Sequence, residues 1–238
     1  MCVCVCVCVC VCVCEACLRL FWHYLQNGDD TITIKYGYDS QSTHSGCVRD
    51  VLVERMSYRF GWGSNIGGPP FGGCAENITF RQINMTDMAG AGCVVKVENV
   101  SEPGSYVRNV LWEDISINGS RDSQSGCVGV SSLYQDWNFH GPYTVGVADI
   151  TWRRVHGHRC NLPGELWCPA SQPCHNLVFD DVHTSSGSLF NFSCLCPRGG
   201  MVNGYPCGPT ASGFAHGTAK RSDPQLERCL RKNDDDMF

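Results

Sequence analysis

The chain has 238 residues, with 18 Lys and Arg against 23 Asp and Glu, a formal net charge of -5 and a pI of about 5.9. That length suits one sizeable domain. The acidic balance excludes general electrostatic attachment to nucleic acid or to an anionic membrane surface, both of which need a basic face, and no stretch reaches the roughly 18 uninterrupted apolar residues of a membrane span.

The chain opens on strict Cys-Val alternation from Cys2 to Cys14. A run of the dinucleotide TG encodes this pattern in any frame, so residues 1–25 are read as a low-complexity, unmatched segment, disordered or artefactual. Seven of the 19 cysteines fall in this repeat, and eleven more run from Cys47 to Cys229. Their density fits an oxidising compartment, and an extracellular, secreted protein is expected. Five Asn-x-Ser/Thr sequons, at Asn77, Asn84, Asn99, Asn118 and Asn191, are compatible with glycosylation.

A short segment then recurs, at residues 48–56, 76–83, 107–115, 147–155 and 175–182. Each copy carries a polar residue, usually Asn or Asp, before an aliphatic-x-aliphatic/aromatic triplet, then two polar residues and another aliphatic, the period-two alternation of a half-buried strand. The first triplet residues, Val51, Ile78, Val110, Ile150 and Leu177, are 27, 32, 40 and 27 residues apart, within the range of solenoids. Without intervening amphipathic helices the strands cannot form a βαβ sheet, and stacked coils bury one strand face per turn instead. Asn or Asp at the strand entrance suits a tight turn, since both tolerate left-handed backbone. A propeller or sandwich would call for close hairpin spacing, which is lacking. The expected fold is an all-β, right-handed parallel β-helix over residues 26–190, followed by a cysteine-containing cap and tail over 191–238, in a monomer. Trp112, Trp152 and Phe179 share one triplet position and are read as a core ladder.

Among residues suited to chemistry, Gly28-Asp29-Asp30-Thr31-Ile32-Thr33-Ile34 stands out. Two adjacent acids usually mark a turn, but here they immediately precede a strand of a repeat protein, where a turn can present both carboxylates from rigid backbone. This segment resembles the Gly-Asp-Asp motif and following strand of the polygalacturonase family of glycoside hydrolases, family 28. The resemblance continues in order. Gly61-Trp62-Gly63-Ser64-Asn65-Ile66-Gly67 stands where the family has Gly-His-Gly-Ile-Ser-Ile-Gly, and Gly92-Cys93-Val94-Val95-Lys96 where it has Gly-x-Arg-Ile-Lys. The coil from Gly104 into Val110, the segment from Val128 ending at Tyr134, and Pro173-Cys174-His175-Asn176-Leu177 also resemble family segments.

The resemblance implies inverting hydrolysis of α-1,4-galacturonosyl or related bonds in pectin, with an acidic polysaccharide as substrate and no cofactor. By position, Asp29 is the expected general acid and Asp30 a base carboxylate. Lys96 is expected to bind a galacturonate carboxylate, and Tyr134 to meet the sugar. Three departures bear on this. The family's first catalytic aspartate falls where this chain has the Cys-Val repeat and unmatched sequence. Trp62 replaces a titratable His by an indole able to stack on a sugar face, and Val94 removes the bidentate grip of an Arg. The rhamnogalacturonase branch deviates at the same His and Arg positions while keeping the Lys. The alternative is a catalytically impaired β-helix that binds carbohydrate or only retains the scaffold.

His156, His158, Cys160, Cys168, Cys174 and His175 form a second cluster. They are chemically plausible zinc ligands, but cysteine spacings of eight and six residues in a secreted loop favour disulfides, and no metal is expected. No glycine-rich phosphate loop or nucleophile elbow occurs.

Overall fold

The computed structural model describes residues 2–7, 9–14, 18–21, 24–26, 28, 30–35, 46–67, 72–89, 92–97, 100, 103–119, 126–131, 143–160, 162–168, 174–186, 193–195, 201–202, 205–206 and 217–220. Every element among them is a strand. In chain order these are β1 (Cys2–Val7), β2 (Val9–Cys14), β3 (Leu18–Phe21) and β4 (Tyr24–Gln26), then alternating short and long strands. The alternation runs β5 (Ile32–Ile34), β6 (Cys47–Arg59), β7 (Ser64–Gly67), β8 (Cys74–Met88), β9 (Cys93–Lys96), β10 (Tyr106–Gly119), β11 (Gly126–Ser131), β12 (Gly146–Cys160), β13 (Leu162–Trp167) and β14 (His175–Ser186). β15 (Ser193–Leu195), β16 (Met201–Val202), β17 (Tyr205–Pro206) and β18 (Gly217–Lys220) follow.

The short strands stack in the order β15-β13-β11-β9-β7-β5, and the long ones in the order β18-β14-β12-β10-β8-β6-β3. Each pairs in parallel with the corresponding strand one turn away, and β1 and β2 add an antiparallel hairpin against β5. The fold is a parallel β-helix, as its sequence repeat leads one to expect.

The long strands turn corners. Single residues with φ between 50° and 59° interrupt them at intervals of five: Asp50 and Arg55, Asn77 and Gln82, Asn109 and Asp114, Asp149 and Arg154, Asn176 and Asp181. Left-handed backbone costs an L-residue about 1–2 kcal/mol, less for Asn and Asp, which explains the polar residue at the head of every repeat. The first corners also bond along the stack. Asn77 Nδ2 donates to Asp50 Oδ1 at 3.0 Å, Asn109 to Asn77 at 2.6 Å, and Asn176 to Asp149 at 2.8 Å.

Between corners, the outer triplet positions fill the interior. Val51, Val53, Ile78, Phe80, Val110, Trp112, Ile150, Trp152, Leu177 and Phe179 are all buried. The rings of Phe80, Trp112, Trp152 and Phe179 lie 4.5–5.5 Å apart and within 8° of parallel. Strands one turn apart are separated by about 4.8 Å, so identical triplet positions place flat rings face over face, with the dispersion and stacking energy of aromatic pairs. Each indole also reaches across the interior: Trp112 Nε1 donates to Ser64 O at 3.0 Å and Trp152 Nε1 to Cys93 O at 2.9 Å. These bonds brace the long-strand wall against the short-strand wall.

On the outside, the polar pair after each triplet builds a column of alternating charge, in register: Glu54, Arg81, Glu113, Arg153 and Asp180. Glu54 is buried and accepts from both Arg19 and Arg81, the latter at 2.7 Å. The Arg19 hydrogen bond, followed by that of Arg81, holds its carboxyl below the ordinary value of 4.5. A lowered folded-state pKa means stabilisation that is present above pH 4.5 and lost as pH falls through the folded value. The thermal midpoint is therefore expected to drop on acidification below that pH. Glu54→Gln is expected to lower the midpoint at pH 7 and to narrow its fall between pH 7 and pH 3, as read by circular dichroism melts.

Disulfides join Cys47 to Cys74, Cys127 to Cys160, and Cys168 to Cys174. The first two tie neighbouring turns. Cys160, Cys168 and Cys174 are thus disulfide-bonded, as their spacing suggests, although Cys160 pairs with Cys127 rather than within its own cluster. Gly157 leaves room for this bridge, since a Cβ there would meet Cys160 Sγ at 2.8 Å. Cys93 is a free, buried thiol, and burial pushes its pKa well up. The side chains of Cys194, Cys196, Cys207 and Cys229 lie outside the described residues.

Candidate active site

The short-strand wall carries the site. Ile32, Ile34, Ile66, Cys93 and Val95 belong to the core, and strand alternation turns Thr33, Asn65 and Val94 to the other side of the wall. In register, Thr33 stands opposite Asn65, and Gly67 opposite Lys96. The Gly-rich turns before β5, β7 and β9 then bring Asp30, Trp62 and Gly92 to the entrances of successive strands.

Lys96 at the end of β9 reaches back two turns to Asp30, with Nζ 3.1 Å from Oδ1. Its side chain is only 4% exposed, whereas that of Asp30 is 22% exposed. The ammonium also lies 5.4 Å from the centre of the Trp62 ring, within cation–π range. Asn65 ties the group together. Its Nδ2 lies 3.5 Å from Asp30 Oδ1 and donates to the Trp62 carbonyl, and its Oδ1 accepts from the Val94 amide at 3.2 Å. One carboxylate, one ammonium, one indole and one amide therefore converge from three consecutive turns. A carboxylate can accept a proton from water, an ammonium can neutralise an acidic sugar, and an indole can stack on a pyranose face.

Of the residues expected from sequence, Asp30 and Lys96 come into direct contact, with Trp62 beside them. Asp29 and Tyr134 lie outside the described residues. Asn65 was not singled out by sequence reasoning. It stands where the resembling motif has a serine, and the role of its amide, which bonds partners on three consecutive turns, is evident only once the turns are stacked. Val94 is fully buried beside it, so the position that would carry an Arg now offers only backbone to the site.

Gly67 sets the spacing of β7 and β9 beneath Lys96. Its φ is +150°, and a Cβ there would lie 1.9 Å from the Lys96 carbonyl oxygen and 2.8 Å from Lys96 Cβ. Backbone cannot give way as a flexible side chain can, so Gly67→Ala is expected to cost about 1–3 kcal/mol and to displace the root of Lys96. Denaturant unfolding should show the loss, and binding of acidic polysaccharide should weaken with it.

No curated protein and no solved structure matches the chain. A family model does match, that of glycosyl hydrolases family 28, over residues 18–199, a span that takes in the stacked turns from β3 to β15 and all four of these residues. The chain belongs to glycosyl hydrolases family 28, glycosidases that act on pectic polysaccharides.

Proposed function

We propose that the protein hydrolyses α-1,4-galacturonosyl or related bonds in pectic polysaccharide with inversion, outside the cell. The observation that carries this reading is the convergence of Asp30, Lys96, Trp62 and Asn65 on one wall of the β-helix. In this reading Asp29 protonates the leaving oxygen, Asp30 activates the attacking water, Lys96 neutralises a uronate carboxylate, and Tyr134 meets the sugar ring. Trp62 and Val94 in place of His and Arg, with Lys96 kept, favour a substrate of the rhamnogalacturonan type over a pure galacturonan. The three disulfides among the described residues and the sequons support a secreted, glycosylated protein.

A second reading has its own support. Lys96 is almost fully buried and already paired with Asp30, so the cation expected to hold substrate is engaged within the site. This favours a β-helix that binds carbohydrate on Trp62 without turning it over. Reducing-end release from polygalacturonate and from rhamnogalacturonan, measured for the native chain and for Asp29→Asn, separates the two. Release that disappears in the variant supports hydrolysis with Asp29 as the acid. Retention in affinity electrophoresis without any release supports the binding reading.

A further inference from the structure

We propose that His156, Asp181 and His183 form a binding site for a divalent transition-metal ion of the zinc class on the outer surface of the β-helix. This proposal does not rest on the glycosidase reading. His156 in β12 and His183 in β14 are direct partners in the parallel ladder, so the stacking of turns sets two imidazoles side by side. Their rings are 5.6 Å apart and tilted by 57° rather than stacked. Asp181 occupies a corner with φ of 59°, two residues before His183, and this bend turns its carboxylate toward both rings. Oδ1 lies 3.1 Å from His183 Nε2, and Oδ2 3.7 Å from His156 Nε2.

The three ligand atoms all fall within 4.8 Å of one another. Tetrahedral zinc with bonds of about 2.0–2.2 Å to nitrogen and oxygen needs ligand separations of about 3.3 Å. Small rotations of half-exposed side chains bring these atoms to that spacing. The neighbouring cation does not compete for the carboxylate: Arg154, which precedes Asp181 in the column of corners, is turned to Glu113, at 2.8 Å, and to Asp114. Two imidazoles and one carboxylate suit zinc, cobalt or nickel, whereas calcium and magnesium take oxygen ligands alone. The open fourth position faces solvent. A bound ion would staple two consecutive turns, β12 to β14, as a disulfide would.

The site is invisible to spacing in the sequence, because its histidines are 27 residues apart and belong to different repeats. The nearer candidates, Cys160, Cys168 and Cys174, are already consumed by disulfides.

Calorimetric titration of the full chain with ZnCl2 at pH 7.5 tests the proposal, run on the native protein and on His156→Ala, His183→Ala, Asp181→Asn and His158→Ala. One zinc equivalent is expected to vanish in His156→Ala and in His183→Ala, to weaken about tenfold or more in Asp181→Asn, and to persist in His158→Ala. Zinc held by cysteine thiols would persist in all five proteins and so drops out of the comparison. Zinc at a hundredfold excess over its Kd should raise the native thermal midpoint by about 5 °C, and this rise should be lost in the two His→Ala variants. Equal zinc stoichiometry and affinity in native protein and His183→Ala would overturn the proposal. An equal rise with CaCl2 would overturn the assignment to a transition metal.

Discussion

Trp152→Ala is expected to destabilise the protein by about 3–5 kcal/mol, the largest loss from any single truncation in the interior. Trp152 is completely buried, with Trp112 stacked on one face at 5.5 Å and Phe179 on the other at 4.5 Å. Its indole N–H donates across the interior to the Cys93 carbonyl at 2.9 Å. Truncation opens a cavity between two aromatic neighbours, removes both stacking contacts and leaves a buried carbonyl without its donor. Trp152→Phe separates these contributions. A phenyl ring continues the ladder, as Phe80 and Phe179 do, so most of the packing survives and the orphaned carbonyl remains, at about 1–3 kcal/mol. Because stability in a solenoid is close to a sum of turns and their interfaces, both neighbouring turns should loosen together. Urea unfolding followed by tryptophan fluorescence provides the measurement. A loss below about 1 kcal/mol for Trp152→Ala would mean that the ladder does not bind the two walls.

Asp30→Asn is expected to reduce release of reducing ends by on the order of 10³-fold with the fold intact, if Asp30 is the carboxylate that activates water. The amide keeps the shape and can still meet Lys96 and Asn65, so a fall in turnover reports the lost base rather than a lost structure. Lys96→Met is expected to act on binding. It removes the cation that pairs with Asp30 and should raise KM for an acidic polymer more than it lowers kcat. The binding reading predicts another pair of results: neither variant changes release, because the native chain has none, while Lys96→Met weakens retention on the acidic polymer and Asp30→Asn strengthens it by removing the negative charge that balances the ammonium. The signs for Asp30→Asn in the two assays therefore decide between hydrolysis and binding.

The repeat was legible in the sequence for a physical reason. Every turn must present the same inward triplet to a shared interior, so the pattern Val51-x-Val53, Ile78-x-Phe80, Val110-x-Trp112, Ile150-x-Trp152 and Leu177-x-Phe179 recurs. The polar residue that precedes each triplet was legible too, because a left-handed corner selects Asn and Asp. Asp30 and Lys96 were reached through ordered motifs, since each stands at a fixed place relative to its strand.

The contacts between turns were not legible. Insertions of different length separate the repeats, so distance along the chain carries no information about which side chains meet two turns apart. That is why the pairing of Lys96 with Asp30, the cross-linking role of Asn65 and the bridge from Cys127 to Cys160 emerge only from the stack. Sequence by itself determined the fold class, the interior and the corner residues, because these obey a local period imposed by strand pleat and backbone sterics. Only the tertiary structure decided that Lys96 is engaged with Asp30 and that His156 meets His183, because lateral stacking at about 4.8 Å turns remote residues into neighbours.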